Sequence, residues 1–187
     1  MDLMNIIVCA VIGIILLVVV IGVVMGVLFC GDIASYTATG SETLSPTGAS
    51  IGNAMVVYNP GLSGAAKDAA KQIAGDLQVK GYTVTLAGIK SSAAANTSGY
   101  DVIVAGGPMY FGRVSNSVDA YLNGLKALGS VKIGAFATTG SAQFNDGDIA
   151  SFGKQVAADL NRTAVAQTIR NGNATGGDCL AFVAAVA

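Results

Sequence analysis

Residues 6–30 read IIVCAVIGIILLVVVIGVVMGVLFC, with no charge and no strongly polar side chain. As a helix rising about 1.5 Å per residue the run is roughly 37 Å long, enough to cross a ~30 Å hydrocarbon core with some tilt. A helix packed on a soluble core keeps one polar face, and this run has none. Residues 1–30 are therefore read as a single transmembrane anchor, touching membrane lipid through residues 6–30. A cleaved signal peptide fits less well: no Lys or Arg precedes the run, the run is too long, and no small-x-small cleavage site follows it. Lipidation of Cys30 would want a small residue where Phe29 stands. The first basic residue is Lys67, so flanking charge assigns no membrane side.

Composition narrows the chemistry further. The 187 residues contain no histidine, which removes most zinc, haem and imidazole-based acid–base catalysis. Cys9 and Cys30 lie in the apolar run and Cys179 stands alone, giving neither a disulfide framework nor a metal-ligand spacing. No metal site and no catalytic side chain is assigned. Ten scattered basic residues and a net charge of −1 argue against a nucleic-acid partner. Any chemistry then falls to a bound organic cofactor or to backbone groups.

Residues 31–53 are small, polar and aperiodic, and are read as a flexible tether spanning roughly 25–30 Å as a coil. From residue 54 to 187, strand and helix signals alternate. Residues 54–58, 82–89, 101–107, 132–140 and 163–169 read as strands. Between them, Ala66, Ala69, Ala70, Ile73 and Leu77 recur at helical spacing, as do Val114, Val118, Tyr121, Leu122, Leu125 and Leu128, and then Ile149, Phe152, Val156 and Leu160. A short terminal helix runs from Asp178. Such alternation implies a parallel sheet covered on both faces, with ligands bound beyond the carboxyl ends of its strands. The loops 59–65, 106–113 and 138–147 leave those ends and should meet at one rim.

These loops, in YNPGLSGAAKDAAKQIAGDL, YDVIVAGGPMYFGRVSNSVDAYLNGL and KIGAFATTGSAQFNDGDIASF, together resemble the flavodoxin family. The resemblance covers residues 54–187. It implies an α/β, flavodoxin-like, doubly wound sheet of five parallel strands in the order 2-1-3-4-5, behind the single transmembrane helix. It also implies non-covalent FMN. In the first loop Asn59, Gly61, Ser63, Gly64, Ala65 and Ala66 would surround the phosphate, two alanines standing where the family has hydroxyl or amide side chains. In the second, Gly107, Pro108, Met109, Tyr110, Phe111 and Gly112 would border the flavin ring, Tyr110 or Phe111 stacking on it and the glycines giving it room. In the third, Thr138, Thr139, Gly140 and Ser141 would offer N–H groups, with Phe144 a further flanking aromatic. Asp146 and Asp148 read as helix-capping charge, and Lys67 and Lys71 as a solvated face.

The function so implied is an electron carrier tethered to the cell membrane, its domain on the cytoplasmic side where flavin is supplied, serving a membrane redox protein or complex. Two other readings stay open: a flavin-dependent quinone reductase, and a flavin-free domain serving as an interaction or scaffold subunit of a membrane complex.

Overall fold

The computed structural model describes residues 2–34, 38–139, 144–161, 164–170 and 177–187. The apolar run forms helix α1, Leu3–Ala34. Its stretch Met4–Cys30 is 27 residues long, exposed, and long and apolar enough to cross a membrane by length and composition.

Residues 54–187 carry the expected alternation. Strands β2 (Gly52–Tyr58), β3 (Tyr82–Gly88), β4 (Val102–Tyr110), β6 (Lys132–Thr139) and β7 (Val165–Arg170) lie side by side in the order β3-β2-β4-β6-β7. All four pairings are parallel. Counted among themselves, these strands have the order 2-1-3-4-5. In β2 and β4, Ala54–Val57 and Val102–Ala105 are wholly buried, as expected of central strands packed on both faces. Successive residues alternate between the faces. Val56, Val104 and Phe136 pack with helices α2 (Ala65–Val79) and α6 (Gly177–Val186) on one side. Met55, Ile103 and Ala135 pack with α4 (Asn116–Gly124) and α5 (Asp146–Leu160) on the other. A one-turn helix α3, Ser92–Ala95, lies in the crossover from β3 to β4, capped by the Ser91 hydroxyl on the Ala94 N–H at 3.1 Å.

Two secondary-structure elements depart from the sequence reading. The first is the tether. Residues Ser41–Leu44 form an edge strand, β1, antiparallel to β3. Ahead of it, residues 38–40 are bonded across the end of β3: the Gly88 N–H donates to the Gly40 carbonyl at 2.8 Å and the Lys90 N–H to the Ala38 carbonyl at 2.9 Å. Gly88 is required there, because a Cβ would run into the Ala38 backbone. Backbone pairing with an otherwise open sheet edge gives SETL an order that its own side chains do not announce.

The second difference is at Val114, expected at the start of a helix. Arg113–Val114 instead folds back as β5 and pairs with Tyr110 and Met109, and α4 begins at Asn116. The turn between holds just two residues, Phe111 at φ 51° and Gly112 at φ 75°. Two consecutive positive φ values make a type I′ hairpin turn, whose twist suits antiparallel strands.

Candidate functional site

The first and second loops meet at the carboxyl ends of β2 and β4. A Cβ on Gly61 would lie 3.0 Å from the Pro108 ring. Asn59 closes the junction from beneath. It is fully buried, and its amide donates to the Ser115 hydroxyl at 3.0 Å and the Ser117 hydroxyl at 2.8 Å, while its Oδ1 accepts from the Gly61 N–H at 3.0 Å. Asn59 therefore braces the rim, and both its amide hydrogens are spent inside the protein. That corrects the expectation of an amide facing a phosphate.

Beyond Gly61 the chain exposes Leu62 and Ser63, then passes through left-handed Gly64, φ 76°, into α2. Its N-cap, Gly64, has no side chain with which to cap this N-terminus. The Ser63 Oγ accepts from the Ala65 N–H at 3.3 Å, and the Asp68 N–H donates to the Gly64 carbonyl at 3.1 Å. Ala65 and Ala66 are buried, with Ala66 in the α2-side core, so backbone N–H is what they can offer a ligand. A helix N-terminus opened in this way presents N–H groups and a partial positive charge. Lys67 and Lys71, read from sequence as a solvated face, line a groove of about 310 Å³ with Tyr58, Glu42 and Leu86. Burial pushes the Tyr58 hydroxyl's pKa up, and the Lys71 charge pulls it back. The i, i+4 spacing of the lysines was visible in the sequence. Their shared groove needed β1, which was not.

In the second loop the glycines do not leave the room expected for a flat ring. A Cβ on Gly107 would sit 2.8 Å from Val118 Cγ2 and 3.0 Å from Asn59 Cβ, and one on Gly112 would sit 3.3 Å from Asp148 Oδ1. The protein's own side chains fill those spaces, and the close approach is between strand, helix and hairpin. Pro108 and Met109 are buried, Tyr110 is half-buried, and Phe111 is 91% exposed at the tip of the turn. Phe29, near the end of α1, meets both aromatics edge-on, with ring centroids 4.8 Å from Tyr110 and 5.8 Å from Phe111.

The third loop is described in part. Thr138 is buried and Thr139 half-buried at the end of β6; Gly140 and Ser141 lie outside the described residues. Phe144 is half-buried and packs against the core on the α4–α5 side rather than standing out as a flanking aromatic. Asn145 caps α5 by accepting from the Asp148 N–H at 2.8 Å, and its amide donates to the Asp148 carboxylate at 2.7 Å. This bears out the capping reading of Asp148. Gly112 near Asp148 and Ser151, and the Val114 N–H donating to Gln155 Oε1 at 3.1 Å, tie the hairpin to α5.

No protein-family model matches the chain, and no curated protein matches it. Solved structures do match. Oxidised flavodoxin 2 from Bacillus cereus superposes with a TM-score of 0.54 at 17% identity, covering 72% of this chain and 97% of that one. Two-electron reduced Megasphaera elsdenii flavodoxin gives 0.54 at 18% identity, over 71% and 97%. A short-chain flavodoxin associated with a non-canonical PDU bacterial microcompartment gives 0.53 at 13%, over 72% and 95%. The domain has the flavodoxin fold. Within that flavodoxin-like frame, the rim built by Asn59, Gly61, Pro108 and the hairpin is at the carboxyl ends of the central strands, where open sheets of this kind take their ligands.

Beside the rim a cavity of about 400 Å³ opens between the hairpin and α5, lined by Phe111, Arg113, Asp119, Lys154, Gln155 and Asp159 among others. Another, of about 540 Å³, lies at the amino ends of β6 and β7, at the opposite edge of the sheet from the rim. The first holds a carboxyl pair that the sequence did not single out. Burial, with the Asp119 charge alongside, pushes Asp159 from 3.8 up to about 6, against the pull of the Asn123 amide. Its Oδ2 is buried without a hydrogen-bond partner. A carboxyl that holds its proton more tightly folded than unfolded stabilises the fold in acid. That contribution is lost as pH rises from about 4 through about 6. Asp159→Asn should therefore raise stability at pH 7 by about 1–2 kcal/mol and flatten the profile between pH 4 and 6, as read by urea unfolding across that range.

Proposed function

We propose that the domain holds FMN at this rim and exchanges electrons with a redox partner in the membrane that α1 spans. The observation that carries the reading is the α2 N-terminus, entered through left-handed Gly64 with no side chain at its N-cap and presented at the rim of a flavodoxin fold. The donor set fits a phosphate through the backbone. The N–H groups of Gly64 and Ala66 and the Ser63 hydroxyl, whose Oγ accepts from the Ala65 N–H, would hold it, with Lys67 adding positive charge on the same turn. The backbone from Pro108 to Tyr110 and the Thr138–Thr139 end of β6 would border the ring, and the half-buried Tyr110 would shield it from water. Bound there, FMN supplies the electron-carrying chemistry that a histidine-free chain lacks. Two of the flavodoxins sharing the fold were solved as oxidised and as two-electron reduced protein, which supports a redox role for such a domain.

Titrating the full-length protein in detergent with FMN tests this. Quenching of free-flavin fluorescence and a shifted visible spectrum are expected. Ser63→Ala should weaken binding about tenfold, the equivalent of one hydrogen bond to a charged group at ~1.5 kcal/mol. A chain that leaves the FMN spectrum unchanged at saturating concentration ends the carrier reading. It would end the quinone-reductase reading too, which differs by requiring nicotinamide-driven quinone turnover. The flavin-free scaffold reading draws on Asn59 and Gly107, whose polar groups and open space serve internal packing. A stoichiometric membrane partner co-purifying without flavin would favour it.

A further inference from the structure

We infer that the carboxyl rim of the sheet lies against the lipid headgroups, with Phe111 and Leu62 as its membrane contacts. The inference rests on α1 crossing the bilayer, but not on flavin. A 27-residue apolar helix is about 40 Å long, whereas the hydrocarbon core is ~30 Å and the whole bilayer ~40–45 Å. A centred helix therefore ends among the headgroups, and Phe29 lies one residue before that end. The 4.8 Å and 5.8 Å ring contacts of Phe29 carry Tyr110 and Phe111 to the same depth. Helix α1 also touches α4, which follows the hairpin directly.

Phe111 gives an independent reason. A type I′ turn favours Asn, Asp or Gly at its first central position, and a bulky residue in the left-handed region is strained. Phe111 sits there at φ 51° with its ring 91% exposed, so packing within the domain does not account for it. Exposed Phe and Leu side chains are the residues with which interfacial segments enter the boundary between headgroups and acyl chains. Leu62 projects from the neighbouring loop, 56% exposed. At the other end of the sheet, Val79 closes α2 and is 87% exposed, but it is far from α1 along the strand direction.

The chain contains no tryptophan, so single substitutions report their own surroundings. Full-length Phe111→Trp, Leu62→Trp, Val79→Trp and Leu16→Trp are reconstituted into vesicles of lipids brominated high or low on the acyl chain, and each emission is compared with that in unbrominated lipid. The comparison cancels any quenching by flavin. Phe111→Trp and Leu62→Trp should lose emission most strongly to shallow bromines, Leu16→Trp to deep ones, and Val79→Trp to neither. Phe111→Trp and Leu62→Trp emission as insensitive as that of Val79→Trp, while Leu16→Trp is quenched, overturns the inference and leaves the anchor standing. An unquenched Leu16→Trp removes the anchor and the inference with it. Neither result depends on the FMN titration.

Discussion

Gly106→Ala is expected to lower stability by about 3 kcal/mol, the upper end for forcing extra volume into a packed core. Gly106 pairs with Phe136 in the β4–β6 ladder, and a Cβ on it would enter the Phe136 ring. That ring is wholly buried and is among the largest of the fully buried side chains, so it has nowhere to retreat without shifting β6 against β4. Chemical unfolding of the full-length protein in detergent, followed by circular dichroism, reads the loss as a lower midpoint. Gly153→Ala is the matched control. It lies in α5 with nothing within 4 Å of the added methyl, and should gain about 0.5–1 kcal/mol from helix propensity. Equal effects from the two substitutions would mean that the β4–β6 contact is looser than it looks.

The second large effect is expected at Asn59. Asn59→Ala removes three hydrogen bonds at a site with no access to water and leaves the Gly61 N–H and two serine hydroxyls behind it. Each orphaned buried group costs about 1–3 kcal/mol, reduced where the Ser115 and Ser117 hydroxyls, 3.4 Å apart, bond to one another, so a net loss of about 3 kcal/mol is expected. Ser117→Ala removes one partner and should cost about 1 kcal/mol. The distinguishing readout is amide hydrogen exchange. Asn59→Ala should speed exchange at Gly61 well beyond the global change, because the Gly61 N–H loses its acceptor, whereas the Asn59 N–H keeps its bond to the Gly106 carbonyl. Uniform exchange across the domain would make Asn59 an ordinary core residue and not the brace of the rim.

The frame of the molecule could be read from its residues because burial on both faces leaves a plain mark. AMVVY and VIVAGG are apolar without interruption, and they lie in the central strands β2 and β4. The helices followed from 3.6-residue spacing, and the alanines of α2 came from the same pattern. The rim was less legible. Side-chain direction in a turn depends on what closes it from behind, and Asn59 points inward because Ser115 and Ser117, more than fifty residues on, wait there. The hairpin at Phe111–Gly112 was missed because a phenylalanine is a poor residue for that turn, so the rule that finds such turns points elsewhere. β1 was missed because four mostly exposed residues of mixed polarity owe their strand to a partner edge.

The strap across Gly88 restricts how far the domain can travel. With residues 38–44 bonded to the sheet, four Cα–Cα steps separate Ala34 from Ala38, at most about 15 Å of chain. If α1 spans the bilayer as proposed, a domain on so short a leash cannot sweep the aqueous phase for its partners. Encounters are then confined to two dimensions, set by lateral diffusion and by how crowded the leaflet is, and adding soluble domain in trans should substitute for the anchored form poorly.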